Sequence, residues 1–407
     1  MGILSPLTKK RARIRSAQRH AAGHGATIKR VADRAGVSIA TVSRAFADPD
    51  AVSDALRVRV QEAARALSYL PSRAARTLRV GTSQAVGVVI PDLQNPFFTA
   101  MVRGIDGVLQ AAGYTLLLSN ADEDVAREQH ILETLRAEGV AGIIFVPINA
   151  ARNRYRQTLT PPVHTVAVDR SASNLRADLV TVDNVEGTRL GVAHLIALGH
   201  REVALLGGPS RHSTAQDREQ GYQQALEAAG LPLRPGLVYR GDFREGGGYA
   251  GMKALMALSR RPTAVFVANN LMTLGAFRAL HEAGISIPDE VALVGFDDMP
   301  WATSLNPPLT AVSQPSEEIG AAAADLLLDR IARPDRAVRH LILETTLVVR
   351  ASCGQSLQSC GQSLHMASPH AMLETDPSQT PATNHAAAED IIGLTSPRRP
   401  RSSSIDR

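Results

Sequence analysis

Four side chains able to contact nucleic acid lie close together near the start of the 407-residue sequence. Ser38, Thr41 and Ser43 supply hydroxyl groups, and Arg44 supplies a guanidinium group. Hydroxyls and backbone N–H groups hold phosphate oxygens, and an arginine can also reach a guanine edge in the major groove. Small side chains let the backbone approach the bases, so this spacing predicts sequence-specific DNA binding.

The surrounding pattern predicts the helices that would position these side chains. Apolar residues recur at helical spacing through 28–35, Thr27 can cap that helix, and Gly36 permits a tight turn after it. Ser38 can cap a second helix that runs to Phe46. Two short helices joined by such a turn form a helix-turn-helix; the alternative is an ordinary helical hairpin with a solvated basic face.

Positive charge is concentrated in this part of the chain. Residues 1–80 carry a formal net charge of +11, whereas residues 81–351 carry −5. Such a basic field attracts a polyanion, which favours DNA as the partner. Residues 1–26 are basic without any acid, and we expect a disordered arm that adds non-specific attraction to phosphates.

From Val86 onwards, short apolar strands alternate with amphipathic helices. This alternation predicts a buried, doubly wound parallel sheet of the α/β class, which binds ligands at the carboxyl ends of its strands. The predicted strands are Val86–Ile90, Tyr114–Leu118, Gly142–Val146, Val163–Val168, Val203–Leu206, Ala264–Val267 and Val291–Val294. The predicted helices are Phe98–Ala112, Val125–Ala137, Glu186–Ala197, Ala215–Ala229, Gly246–Leu258, Leu271–Glu282 and Glu317–Ile331.

Other classes of protein lack support in the sequence. Cys353 and Cys360 are the two cysteines, and they provide no disulfide or zinc framework. No apolar run approaches the length of a membrane span, and no signal-peptide pattern follows the N-terminal charges, so we expect a cytoplasmic protein without a membrane partner. The tail 352–407 contains a duplicated SCGQSL segment and is expected to be disordered.

With these segments in order, the chain resembles transcriptional repressors of the LacI/GalR family from about Thr27 to Ser352. Each matching motif alone is weakly specific, but so many in this order are highly specific. The motifs are TIKRVADRAGVSIATVSRAF, SYLPSRAARTL, VVIPDLQNPFF, VDN at Val182–Asn184, LGHREVALLGGP, VFVANNLMTLGA, VALVGFDD and NPPLTAVSQP.

The resemblance implies an all-α headpiece, a hinge helix and an α/β core similar to periplasmic sugar-binding proteins. It also implies a homodimer that reads a near-palindromic, double-stranded operator. The implied boundaries are 27–71 for the headpiece, 72–83 for the hinge and linker, 84–182 plus 314–340 for an N-subdomain, and 183–313 plus 341–351 for a C-subdomain.

In the family's hinge helix a leucine wedges into the minor groove, and Leu78 matches that position. A leucine can unstack a base step while Arg73 and Arg76 attract phosphates; packing of Leu78 against the core is the alternative. The hinge is too short to be a stable helix alone, so we expect DNA to order it. The predicted DNA-contacting residues are Thr27, Ser38, Ile39, Ala40, Thr41, Ser43, Arg44, Arg73, Arg76 and Leu78.

The family's effector pocket matches eight residues that follow predicted strands or begin helices. Carboxylates, an amide and arginines pair with hydroxyl groups, and an aromatic ring packs on the apolar face of a sugar, so a polyhydroxylated effector is expected. A helix-capping role for Asp169 or Asp297 and a core role for Phe98 are the alternatives. The eight are Asp92, Phe98, Asp169, Arg170, Arg218, Phe243, Asn269 and Asp297.

Some positions depart from the family pattern. Asn270 stands where family members usually carry Asp, which changes a hydrogen bond or a charge beside the cleft. Ala47 stands where some members carry a polar DNA-contacting residue. Ile39 and Ala40 lie at positions that vary with operator sequence; they cannot form paired hydrogen bonds, so they would contact thymine methyl groups or allow close approach.

The sequence thus predicts an effector-controlled DNA-binding repressor and not an enzyme, and it implies no cofactor or metal. It contains no GxGxxG after a strand, no P-loop, no GxSxG and no metal-spaced histidines. The basic headpiece argues against a pure solute receptor. Activation in place of repression, a purine or other metabolite in place of a sugar, and corepression in place of induction stay open.

Overall fold

The computed structural model describes residues 27–69, 83–148, 155, 158–159, 163–172, 175–354 and 373–374. The predicted arm 1–26 and the predicted hinge contacts Arg73, Arg76 and Leu78 lie outside these residues. Within the described parts, no helix is long and apolar enough to cross a membrane.

Three helices form the headpiece. Thr27 caps the first through its side chain, and Ser38 caps the second in the same way. Between them, Gly36 has a φ of 62°, a left-handed conformation that glycine adopts without strain. Val42 and Val60 are fully buried where the helices meet. The helices are α1 (Ile28–Ala35), α2 (Ile39–Ala47) and α3 (Asp54–Ala66).

The N-subdomain is built on a largely parallel sheet with helices on both faces. In spatial order its strands are β2 (Thr115–Asn120), β1 (Ala85–Ile90), β3 (Gly142–Phe145), β4 (His164–Val168), β5 (Asp178–Val182), β11 (Arg339–Leu343) and the antiparallel β13 (Leu373–Glu374). Helices α4 (Pro96–Ala111) and α10 (Ser316–Ala332) pack on one face, and α5 (Val125–Ala137) packs on the other. A Cβ at Gly104 of α4 would lie 2.0 Å from the carbonyl oxygen of Glu317, so glycine permits the close contact with α10.

The C-subdomain repeats this architecture. Its strands, in spatial order, are β7 (Val238–Arg240), β6 (Val203–Gly207), β8 (Ala264–Val267), β9 (Ala292–Phe296), β10 (Thr310–Ser313) and the antiparallel β12 (Thr346–Val348). Helices α8 (Glu245–Met256) and α9 (Asn270–Glu282) cover one face, and α6 (Asn184–Ala197) and α7 (Ser213–Ala228) cover the other.

The described chain passes between the two sheets after β5, after β10 and after β11. The predicted N-subdomain boundary at His340 is too early, because β11 pairs with β5 as far as Leu343. The predicted start of a disordered tail at Ser352 is also wrong. The Ser352 hydroxyl accepts from the Thr310 N–H at 2.8 Å and donates to the Leu293 carbonyl at 2.7 Å, which holds this segment in the core.

Candidate functional site

Thr27 caps α1, and Ser43 and Arg44 lie in the later part of α2. The other four predicted DNA-contacting residues of the headpiece, Ser38, Ile39, Ala40 and Thr41, lie at the amino end of α2. The first backbone N–H groups of a helix lack intrahelical partners, so this end can bind phosphate oxygens. The exposed residues are Thr27, Ser38, Ile39, Ala40 and Arg44, and the half-buried ones are Thr41 and Ser43.

Arg44 differs from Arg57 and Arg59 of α3. Arg57 pairs with Asp54 at 2.5 Å, and Arg59 donates a hydrogen bond to the carbonyl of Ala35. Arg44 is exposed and forms no ion pair within the described residues. Its guanidinium group is therefore available to a phosphate or to a guanine edge.

All eight predicted effector residues line one cavity between the two subdomains. The empty space bounded by its lining atoms, part of which is open to solvent, measures about 430 Å³. The N-subdomain contributes Asp92, Phe98, Asp169 and Arg170, and the C-subdomain contributes Arg218, Phe243, Asn269 and Asp297.

Arg170 is the centre of a buried ion-pair cluster. It donates hydrogen bonds to Glu123 at 2.8 and 3.2 Å and lies 3.5 Å from Asp169. His212, from the C-subdomain, places its Nε2 3.3 Å from Glu123. Burial raises the pKa of Glu123, but Arg170 and His212 together hold that pKa well below its usual range. Burial lowers the pKa of His212 to about 4, so its ring is neutral at pH 7.

Arg218 supplies the buried positive charge of the C-subdomain. It donates to the Asn184 side chain at 2.8 Å and to the Ala268 carbonyl. Its guanidinium carbon lies 3.6 Å from the ring centroid of Phe296, a cation–π contact. Burial lowers its pKa, and the nearby Asp297 carboxylate acts in the opposite direction.

Two buried aspartates face these arginines. Burial raises the pKa of Asp169 to about 6, and it also raises the pKa of Asp297. Asp297 accepts hydrogen bonds from the Gln314 side chain and from the backbone N–H of Asn270. Carboxylates whose charge is disfavoured by burial gain most from further donors, such as the hydroxyls of a ligand.

Aromatic rings form the apolar walls of the cavity. The Arg170 guanidinium carbon lies 5.9 Å from the centroids of both Phe98 and Phe243. His212 stacks on Phe243 with a centroid distance of 5.6 Å, and Phe97 meets Phe98 edge-on at 5.1 Å. Apolar ring faces among charged groups suit a ligand that has both C–H faces and hydroxyls.

The backbone is strained at this site. Six non-glycine residues in the described parts of the chain have a positive φ, and five of them lie at or beside the cavity. Strain of this kind is retained where the surroundings fix a binding geometry. The five are Asp122, Glu123, Asp169, Phe243 and Asp297, with φ values from 56° to 75°.

Comparison with known proteins identifies the family. A model described as "Bacterial regulatory proteins, lacI family" matches residues 27–72, and a "Periplasmic binding protein-like domain" model matches residues 192–353. The ribose operon repressor of Escherichia coli strain K12 is 35% identical over 333 residues, which cover 80% of this chain and 99% of that protein. The chain belongs to the LacI family. The transcriptional repressor CytR of the same strain is 33% identical over 331 residues, covering 80% of this chain and 96% of that protein.

Solved LacI-family structures agree with this assignment. The lac repressor dimer bound to operator and the anti-inducer ONPF superimposes with a TM-score of 0.72 at 28% identity, covering 81% of this chain and 99% of that one. The regulator CelR in complex with cellobiose has a TM-score of 0.62 at 33% identity, covering 80% and 99%. A LacI-family regulator from Enterococcus faecium with bound ribose has a TM-score of 0.61 at 30% identity, covering 66% and 98%.

This LacI-family chain is a DNA-binding transcriptional repressor with an effector-binding core. The two-subdomain α/β fold and the helix-turn-helix that the sequence predicts are confirmed. The relatives named here are regulators of transcription and not enzymes.

Sequence reasoning missed about half of the side chains around the LacI-family pocket. Glu123 belongs to the acidic segment that directly follows β2, a signal that was visible in the sequence. Gln314 follows β10, a strand that was not predicted, and His212 precedes α7 without any recognisable motif. The missed lining residues are Asn95, Phe97, Glu123, Thr214, Asp242, Arg244 and Gln314.

Proposed function

We propose that the effector of this repressor is an uncharged monosaccharide, with D-ribose as the first candidate. The repressor acts in the cytoplasm as a homodimer, in which two copies of α2 reach the two halves of an operator. Binding of the sugar between the subdomains changes how the two headpieces are held, and so changes operator affinity.

The charge of the cavity is the observation that carries this proposal. Five carboxylate side chains line the cavity, but only three arginines do so within the described residues. Arg170 is held by Glu123 at 2.8 Å, and Arg244 is held by Asp122 at 2.8 Å. Arg218 is committed to an amide and a backbone carbonyl. A phosphate group would therefore meet net negative charge, whereas neutral hydroxyls can donate to the carboxylates.

The placement of the polar groups supports a single sugar ring. Asp169 and Asp297 lie on opposite subdomains, so hydroxyls on two edges of one ring can reach both carboxylates in the closed cleft. Phe98 and Phe243 both lie near Arg170 and supply apolar surface for the C–H groups of the sugar.

The relatives of this repressor favour ribose among the monosaccharides. One relative is the ribose operon repressor of E. coli, and the E. faecium regulator was solved with bound ribose. The complex of CelR with cellobiose makes a disaccharide the second candidate.

Titration calorimetry of the full-length protein with D-ribose, D-ribose 5-phosphate and cellobiose tests the proposal. We expect saturable binding of D-ribose and at least roughly 100-fold weaker binding of the phosphate, because of repulsion by the carboxylates. Binding of cellobiose without binding of ribose would favour the second candidate. Tighter binding of the phosphate would contradict the charge argument.

A further inference from the structure

A buried hydrogen bond joins the two subdomains beside the cavity. The Nδ2 of Asn270 donates to the Oδ1 of Asn95 at 2.8 Å, across 175 positions of the sequence. Asn270 is completely buried, and Asn95 is 6% exposed. Other contacts also join the subdomains: the buried His212 lies 3.3 Å from Glu123, and Arg244 pairs with Asp122, where both side chains are about half exposed.

Each asparagine begins a helix. Asn95 caps α4, because the same Oδ1 also accepts the backbone N–H of Phe97 at 2.9 Å. Asn270 is the first residue of α9, and its own backbone N–H donates to Asp297 at 3.2 Å. Position 95 therefore needs an oxygen that accepts twice, and position 270 needs a side chain that donates.

This requirement distinguishes asparagine from aspartate at the two positions. An aspartate at 270 would have no proton to donate at neutral pH and would place a second carboxylate beside Asp297. An aspartate at 95 would keep both acceptor roles and would suit the amino end of a helix. Asn270, which departs from the family pattern, is thus chemically matched to Asn95.

We propose that Asn270 is a positioning residue that latches the two subdomains together before the effector binds. Opening of the cleft breaks the bond between Asn95 and Asn270. Because the closed cleft alone brings both halves of the pocket together, the latch raises the fraction of protein that is competent to bind. The apparent effector affinity rises in proportion to that fraction. The latch does not depend on which sugar is bound.

The chain contains its own reporter of closure. Its single tryptophan, Trp301, packs against the buried apolar clusters of both subdomains. The fluorescence of Trp301, and its quenching by acrylamide, therefore respond to the relative position of the subdomains without any added ligand.

The variants Asn270→Asp and Asn95→Asp make the same isosteric change at opposite ends of one hydrogen bond. In the ligand-free full-length protein, N270D should shift the emission and quenching of Trp301, whereas N95D should keep the wild-type values. In titrations with D-ribose, N270D should bind about ten-fold more weakly, because a buried hydrogen bond of the closed state is lost. Thr273→Val is the control: it removes a 2.8 Å hydrogen bond to the Asn269 carbonyl inside the C-subdomain and should leave the Trp301 signal unchanged.

The comparison at position 95 keeps the proposal testable if N270D does not fold, as judged by circular dichroism. Asn95→Ala removes the acceptor. A shifted Trp301 signal in N95A together with a wild-type signal in N95D therefore supports the latch. Identical Trp301 signals in wild type and N270D, or equal shifts in N270D and N95D, overturn it. If D-ribose binds to none of these proteins, the proposed effector is wrong, and the ligand-free fluorescence still decides the latch.

Discussion

The headpiece and the cleft of this repressor hold their binding groups in opposite ways. On the headpiece, Ser38, Ile39 and Arg44 lie exposed on a helix of regular backbone. In the cleft, Arg170 and Arg218 are at most 4% exposed, and the backbone around them is strained at five residues. The headpiece side chains are thus open to solvent, whereas the arginines of the cleft are already buried in the folded protein.

The difference lies in the step at which water is removed. Charged groups of the cleft lose their water when the protein folds, so their desolvation lowers the stability of the ligand-free protein. Groups of the headpiece lose water only when DNA covers them. Substitutions in the cleft should therefore change stability together with effector affinity, whereas exposed headpiece substitutions should change operator affinity alone.

The largest effect should follow removal of the buried charge of Arg218. In Arg218→Met, the apolar chain still covers Phe296, but the donors and the charge beside Asp297 are lost. We expect effector affinity to fall by about 3 kcal/mol in calorimetry with D-ribose. Effector-free operator binding should persist in mobility-shift assays. Unchanged D-ribose affinity would place Arg218 outside the binding site. The cleft would then lack the buried binding group that distinguishes it from the headpiece.

The next effect concerns Asp169 and depends on pH. Burial raises its pKa to about 6 from an ordinary 3.8, so folding takes up a proton there between these values. The stability contributed by this group is therefore present at low pH and is lost as pH rises through the window. At pH 8, Asp169→Asn should raise the free energy of unfolding by about 3 kcal/mol, measured by urea denaturation.

The same substitution should act on effector affinity with the opposite sign. In the wild type, affinity should fall as pH decreases below about 6, because protonated Asp169 accepts fewer hydrogen bonds. Asp169→Asn should bind more weakly at pH 8 and lose this pH dependence. A variant that gains stability and keeps its affinity would show that the strained, buried carboxylate has no role in binding.

The fold was predictable where the local pattern is clear, either a continuous apolar run for a strand or helical spacing of apolar residues for a helix. The strand Ala264–Val267 and the helix Val125–Ala137 match the sequence predictions residue for residue. Two strands that were not predicted begin with a charge and are not apolar throughout. Asp178–Val182 alternates buried with half-buried residues, and Arg339–Leu343 alternates half-buried with exposed residues. Their position depends on pairing with each other across 161 positions of the sequence, which local periodicity does not encode.

The site was predictable only in part for a related reason. Asp169 and Asp297 directly follow strands, so sequence position alone brings them to the cleft. Glu123 and His212 matter because one holds Arg170 and the other reaches across from the second subdomain. Such contacts are products of tertiary structure. Asn270 illustrates the same limit: its departure from the family was visible, but its partner Asn95 was not.

On the headpiece, Arg44→Ala should weaken operator binding by about 1–2 kcal/mol while thermal stability stays unchanged, because Arg44 forms no ion pair within the described residues. Mobility-shift assays at several salt concentrations measure the operator affinity and its dependence on salt. A smaller salt slope indicates a phosphate contact, and relaxed specificity at one base pair indicates a guanine contact. A loss of stability equal to the loss of affinity would mean that Arg44 supports the fold, as the buried arginines of the cleft do.

The smallest effect should come from Ser38, the residue in which folding and DNA binding overlap. Its hydroxyl accepts the Thr41 backbone N–H at 3.1 Å, whereas Ser53, at the equivalent position before α3, makes no side-chain capping hydrogen bond. Ser38→Ala should therefore destabilise α2 by about 1 kcal/mol, and Ser53→Ala should have little effect. Hydrogen-exchange mass spectrometry of the full-length repressor measures this as faster exchange over 39–47 in the first variant only.

Operator affinity of Ser38→Ala should fall by no more than the loss of the cap explains, because that hydroxyl is already committed within the headpiece. A much larger loss of operator affinity would show that the Ser38 hydroxyl leaves its cap and binds a phosphate on DNA. One side chain of the headpiece would then serve both folding and binding, as the buried side chains of the cleft are proposed to do.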